Sequence, residues 1–179
     1  VTIDSMALFR RDELVGFLSV EDTRNYLWTQ DKIKRTTISI PCGKDRYASI
    51  RIIDSKTKQK GAIKNGKPKV DVNIIMEGFI VGSTCEDPMD DPDTYKKIEK
   101  LTNQYIKEHI IGTIQTVQKD YGVDVFGFGE VVARQDYKNF KKVQDHWDEA
   151  FKDAEIEVAV NIKLRRAGTR TKGVFDRMK

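Results

Sequence analysis

Apolar residues alternate with polar ones through some stretches of this chain and recur at helical spacing through others. Met6 to Phe9 and Leu14 to Leu18 are short apolar runs around Arg10, Arg11, Asp12 and Glu13, a polar stretch of the length that turns a hairpin. Ser19, followed three places later by Asp22, has the form of a capping box with Asp in place of Glu, and Val20, Leu27 and Trp28 then suit a short helix over 20–29. Ile38 and Ile40 alternate with polar neighbours until Pro41, and Ala48, Ile50 and Ile52 repeat the pattern, which predicts two strands. A lysine-rich stretch containing Gly61 and the turn pair Asn65-Gly66 leads into Val70, Val72, Ile74 and Met76, so a long hairpin with a basic tip is expected.

The pattern then changes period. Asp91 can cap a helix and Pro92 suits its first position; Ile98, Leu101, Tyr105, Ile106, Ile110, Ile114, Val117 and Tyr121 recur along one face until Gly122 ends it. Two shorter helical pieces follow, Phe126 to Ala133 and Asn139 to Phe151, the second lining one face with Val143, Trp147 and Phe151. Ile156, Val158, Val160, Ile162 and Leu164 alternate as a last strand, and the chain beyond Gly168 reads as a basic tail. The fold class is α+β: an antiparallel β-sheet packed against one long and several shorter α-helices. With 179 residues, no internal repeat and no linker, residues 1–179 are expected to form a single domain.

Charge refines this picture. The net charge of +4 is small against 32 basic and 28 acidic residues, but it is unevenly placed. Lys56, Lys58, Lys60, Lys64, Lys67 and Lys69 occur with no acid among them, whereas Glu86, Asp87, Asp90, Asp91 and Asp93 crowd the entrance of the long helix. The lysines are candidates for an interaction or membrane surface; as a hairpin tip they would also block edge-to-edge pairing. No aromatic residue interleaves them, so nucleic acid is not expected as a partner, although Arg165, Arg166, Arg170 and Lys172 add a basic tail.

Chemistry finds little purchase. The two histidines, His109 and His146, both fall in predicted helices without a nucleophile motif beside them. The acidic stretch lacks the spacing and turn glycine of a calcium loop, and Gly127 and Gly129 lack the rest of a phosphate-binding fingerprint. The chain is expected not to be an enzyme and to need no cofactor and no metal. Cys42 and Cys85 each end a predicted strand and fit no metal spacing; two reduced thiols are expected, with a bridge requiring those strand ends to be neighbours.

Several segments, in order, resemble the Ger(x)C family of spore-germination proteins. These are Ala7 to Phe9 with Leu14 to Leu18 and Glu21; Gln118 to Tyr121; Asp124 to Glu130, including Phe126, Gly127 and Gly129; Trp147 to Phe151; and Val158 to Gly168 with Arg165 and Arg166. Around 135–140, where the family often carries Pro followed three places later by Trp, this chain has Asp136, Tyr137 and Phe140, which keeps an aromatic at the packing position. The resemblance implies the C-terminal domain of a longer lipoprotein, the C subunit of a nutrient germinant receptor, lipid-anchored at the outer face of the inner spore membrane through an N-terminal region. It implies a non-catalytic interaction domain that docks with the membrane-embedded A and B subunits; a pocket between sheet and helices makes a small-nutrient-binding domain the alternative, and the lysine stretch makes an anionic membrane surface a further contact. The motif residues Gln118, Asp124, Phe126, Gly127, Gly129, Trp147, Phe151 and Gly168 are expected to be structural.

Overall fold

The computed structural model describes residues 5–88 and 91–165. The first hairpin forms as expected: β1 (Met6–Arg10) pairs antiparallel with β2 (Glu13–Leu18), burying Leu8 and Leu18 and turning Phe9 and Phe17 outward. Helix α1 (Val20–Thr29) starts at Ser19, whose Oγ accepts from the Asp22 amide at 3.1 Å and donates to the Asp22 carboxylate at 2.6 Å. The capping pair thus satisfies an amide that the first helical turn leaves free.

A second, four-stranded sheet has the order β3-β4-β5-β6, with β3 (Thr36–Gly43), β4 (Arg46–Lys64), β5 (Lys67–Ser83) and β6 (Glu155–Leu164). Two features depart from expectation. The lysine-rich stretch is not a tip but the second half of β4, and the turn shrinks to Asn65 (φ 51) and Gly66 (φ 79), the left-handed pair that a two-residue hairpin favours. Its alternation is hidden in the sequence because the residues between the lysines, Ser55, Thr57, Gln59 and Gly61, are polar or small. In addition, β6 runs parallel to β5, so the sheet is mixed and not purely antiparallel. The long helix between them carries the chain back, and only then does β6 run alongside β5 in the same direction.

That helix, α2 (Pro92–Thr116), is capped by the Asp91 side chain, which accepts from the Asp93 amide at 2.9 Å; it continues through a π-helical turn, Val117–Tyr121, and ends at Gly122 with φ 58. Then follow α3 (Phe128–Gln135), α4 (Tyr137–Phe140) and α5 (Trp147–Lys152). The second predicted helical piece is therefore divided: Val143, at φ −121, leaves the helical region, and a 3₁₀ turn over Gln144–His146 swings Trp147 towards Asp124. Ile98, Ile106, Ile110 and Ile114 of α2, Trp28 of α1, and Phe126, Phe128 and Phe151 pack with the inward row of the sheet, Ile38, Ile50, Val72, Ile74 and Ile162 among them. Gly78 lies where β4 bulges between Ile52 and Asp54; a Cβ there would sit 2.7 Å from the Arg51 carbonyl oxygen, so only glycine permits the approach.

Sheet edges are covered by side chains rather than by further strands. Along β4 beyond β3, Asp31 accepts from Thr57 N (2.8 Å), Gln135 accepts from Gly61 N (2.9 Å) and Asp136 accepts from Ile63 N (3.0 Å), while Lys34 and Gln135 donate to the carbonyls of Ser55 and Gln59. Along β6, Glu99 and Asn103 of α2 accept from Leu164 N (2.8 Å) and Ile162 N (2.7 Å). These groups occupy donors and acceptors that would otherwise recruit another strand.

The expectation of reduced thiols is corrected. Cys42, at the end of β3, and Cys85, just after β5, form a disulfide with a Cα–Cα separation of 5.9 Å. β3 and β5 both pair with the same end of β4, and this brings the two cysteines together.

Candidate interaction surface and the motif cluster

The motif residues converge at the end of α2. Gln118 donates from Nε2 to the carbonyls of Phe151 (2.9 Å) and Ala154 (3.0 Å), joining the π-helical turn to α5 and the start of β6. The Asp124 carboxylate accepts from Phe128 N (3.1 Å), Gly129 N (2.6 Å) and Trp147 Nε1 (2.9 Å), which caps α3 and anchors α5 to it. Burial pushes the Asp124 carboxyl above the usual aspartate range, against the opposing pull of these donors. Gly127 takes φ 70 before α3, and a Cβ on Gly129 would come within 2.8 Å of the Trp147 ring. Phe126 stacks on Phe128 with ring centres 5.1 Å apart, and Phe128 tilts against Phe151 at 6.4 Å. Phe140 meets Trp147 at 5.4 Å, so the aromatic at the altered position keeps a packing role. Gly168 and the basic tail beyond it lie outside the described residues, as does Asp90.

The lysines are placed differently. Alternate residues of a strand share a face, so Lys56, Lys58, Lys60 and Lys64 line the side of β4 turned away from the helices, all exposed. Lys67 is exposed on the far side of the turn, in register with Lys64. Lys69 leaves this group: its ammonium lies 2.5 Å from Glu157 and 3.2 Å from Glu155, and those bonds raise its pKa.

The acidic stretch resolves into a helix entrance. Asp87 pairs with Lys97 at 2.7 Å, Asp93 with Lys96 at 2.8 Å, and Glu86 with Arg46. His109 Nδ1 donates to the Tyr105 carbonyl at 2.8 Å, and its Nε2 is 3.9 Å from Glu21. His146 lies on an exposed 3₁₀ turn. Among the described residues no group of His, Cys, Asp and Glu is arranged to hold a metal ion, and no helix is long and apolar enough to cross a membrane.

Sequence reasoning missed the edge-covering set, Asp31, Lys34, Glu99, Asn103, Gln135 and Asp136. Each acts on a strand far away in sequence, and no local signal distinguishes them from ordinary helix and loop residues.

In this α+β domain the motif ties a π-ended helix to two short helices. The chain belongs to the family described as spore germination B3/GerAC-like, C-terminal, which it matches over residues 4–168. It is 27% identical to spore germination protein KC of Bacillus subtilis over 98% of this chain and 44% of that protein. It is 24% identical to spore germination protein B3 of the same organism over 93% of this chain and 45% of that one. The crystal structure of the GerBC protein superposes with a TM-score of 0.82 at 23% identity, covering 91% of this chain and 51% of that one, and so shares the fold. The chain spans less than half the length of these two relatives.

Proposed function

We propose that this is the C-terminal domain of the C subunit of a nutrient germinant receptor, and that it works by docking with the membrane-embedded A and B subunits without making or breaking a bond. The observation that carries this reading is the family match over residues 4–168. The motif cluster supports it: Gln118, Asp124, Gly129 and Trp147 are engaged in joining helices, which leaves the exposed faces for recognition. The full protein would be lipid-anchored through an N-terminal region, at the outer face of the inner spore membrane.

The test is nutrient-triggered dipicolinic acid release from spores whose gene lacks only this domain, with a pressure trigger as control. Loss of the nutrient response, with the pressure response kept and the truncated protein present, is expected; an unchanged nutrient response overturns the proposal.

Binding of a small nutrient is the second reading. A groove of about 530 Å³ between α2 and β6 brings Lys60 and Lys107 together with Asp71 and Glu157 beside Ile111 and Val158, so it carries both signs of charge next to apolar surface. Heat in a calorimetric titration with amino acids or sugars would favour it over docking.

A further inference from the structure

Along β4 the outward lysines Lys56, Lys58 and Lys60 follow one another at the two-residue repeat of a strand, Ala62 takes the next outward place and Lys64 the one after, so the row extends over about 27 Å, and Lys67 adds a fifth amine beyond the turn. None of the five makes an ion pair or a side-chain hydrogen bond among the described residues, in contrast to Lys34, Lys69, Lys96 and Lys97. Opposite them on β5 stand Ile75 beside Lys56, Asn73 beside Lys58 and Asp71 beside Lys60. Asp71 is the one acid directly across from the row, and the acids of β6 on this face, Glu155 and Glu157, are held by Lys69. Ile75 is 64% exposed, the largest exposure among the large apolar side chains of the described residues.

A row of single ammonium groups offers no fork for one carboxylate or phosphate; its charge is spread along a line. That form complements an extended sheet of anions, and the isoleucine at its border suits shallow contact with the apolar layer beneath. We propose that this open face of the sheet lies on an anionic lipid surface, with Lys56, Lys58, Lys60, Lys64 and Lys67 on the headgroups and Ile75 among them. The proposal rests on the receptor reading for its setting, since an anchored protein would hold this face close to a bilayer.

The experiment is co-sedimentation of the protein with vesicles of mixed phosphatidylglycerol and phosphatidylcholine, against phosphatidylcholine alone. Binding to the anionic vesicles that weakens with added salt is expected. The fourfold replacement of Lys56, Lys58, Lys60 and Lys64 by Gln, which keeps exposed polar side chains on the strand, should reduce that binding at least about tenfold. A charge-matched control replaces Lys119, Lys138, Lys141 and Lys142 of the helical layer by Gln and should keep most of it; circular dichroism melts establish that both variants fold. Equal binding to the two vesicle types, binding that survives the ladder replacement, or an equal loss in the control would overturn the proposal. Absence of vesicle binding in a domain that spores still require for the nutrient response would overturn the lipid contact while leaving the receptor reading intact.

Discussion

Asp124 shows how one side chain can hold three segments together. Three donors converge on its carboxylate from the start of α3 and from Trp147 of α5. Replacing Trp147 with Phe removes one bond to a charged acceptor and should cost about 1.5–3 kcal/mol, while Asp124→Ala orphans all three donors and should cost more; urea unfolding midpoints would measure both. The sign of the pH effect follows from the raised pKa. The folded state holds its proton up to a higher pH than the unfolded chain, so this group favours folding below the ordinary aspartate pKa of about 3.9, and that contribution is lost as pH rises through the folded value. Thermal melts across that window should show the Asp124→Asn variant closest to wild type at neutral pH and falling behind it as pH drops. The cluster was partly legible beforehand. The family resemblance marks Gln118 and Asp124 as structural together with Phe126, Gly127, Gly129, Trp147 and Phe151, but the part Asp124 plays as a shared acceptor depends on a contact across 23 positions to Trp147 that no spacing rule encodes.

Among the elements, what could be read in advance depended on whether a segment carried its own signal. The β1–β2 hairpin, α1 with its Ser19 cap, and α2 from Asp91 to Gly122 each have apolar periodicity and end residues that act locally, and each appears as expected. The second half of β4 was hidden because its inward row is Ser55, Thr57, Gln59 and Gly61, and the direction of β6 was hidden because strand pairing is not local. Side-chain edge cover is the device that sequence could not reveal, and it makes a prediction. Asp136 holds Ile63 N, and this bond lowers its pKa, so its contribution is present above the ordinary aspartate pKa and is lost as pH falls through the folded value. Asp136→Ala, or acidification of the wild type, should lower the protection factor of the Ile63 amide, its exchange compared with an unfolded amide at the same pH, while leaving Ile162 and Leu164, held by α2, protected; hydrogen exchange read by NMR would show either outcome.

At the scale of the whole molecule, the two faces of the sheet differ in character. Helices, the buried aromatic residues and the family motif occupy one side of the sheet, and the other is left open with its lysines. The α+β class was legible because long amphipathic and alternating segments follow one another in the chain. The gathering of lysines on one face was not, since it depends on which half of β4 extends beyond β3 and on Lys69 being drawn off to β6.

The Cys42–Cys85 bond has a consequence of a different kind. It closes residues 42–85 into a covalent ring that contains the whole β4–β5 hairpin, with Lys64, Asn65 and Gly66 exposed at its far point. A protease that nicks the peptide after Lys64 opens the ring but does not release a fragment. Limited trypsin treatment should therefore give a single band of full-length mass on a non-reducing gel and two pieces once reductant is added. Two pieces without reductant would mean that the thiols are unpaired. This exposed turn is thereby also one whose breakage the chain can survive, in any compartment oxidising enough to keep that bond.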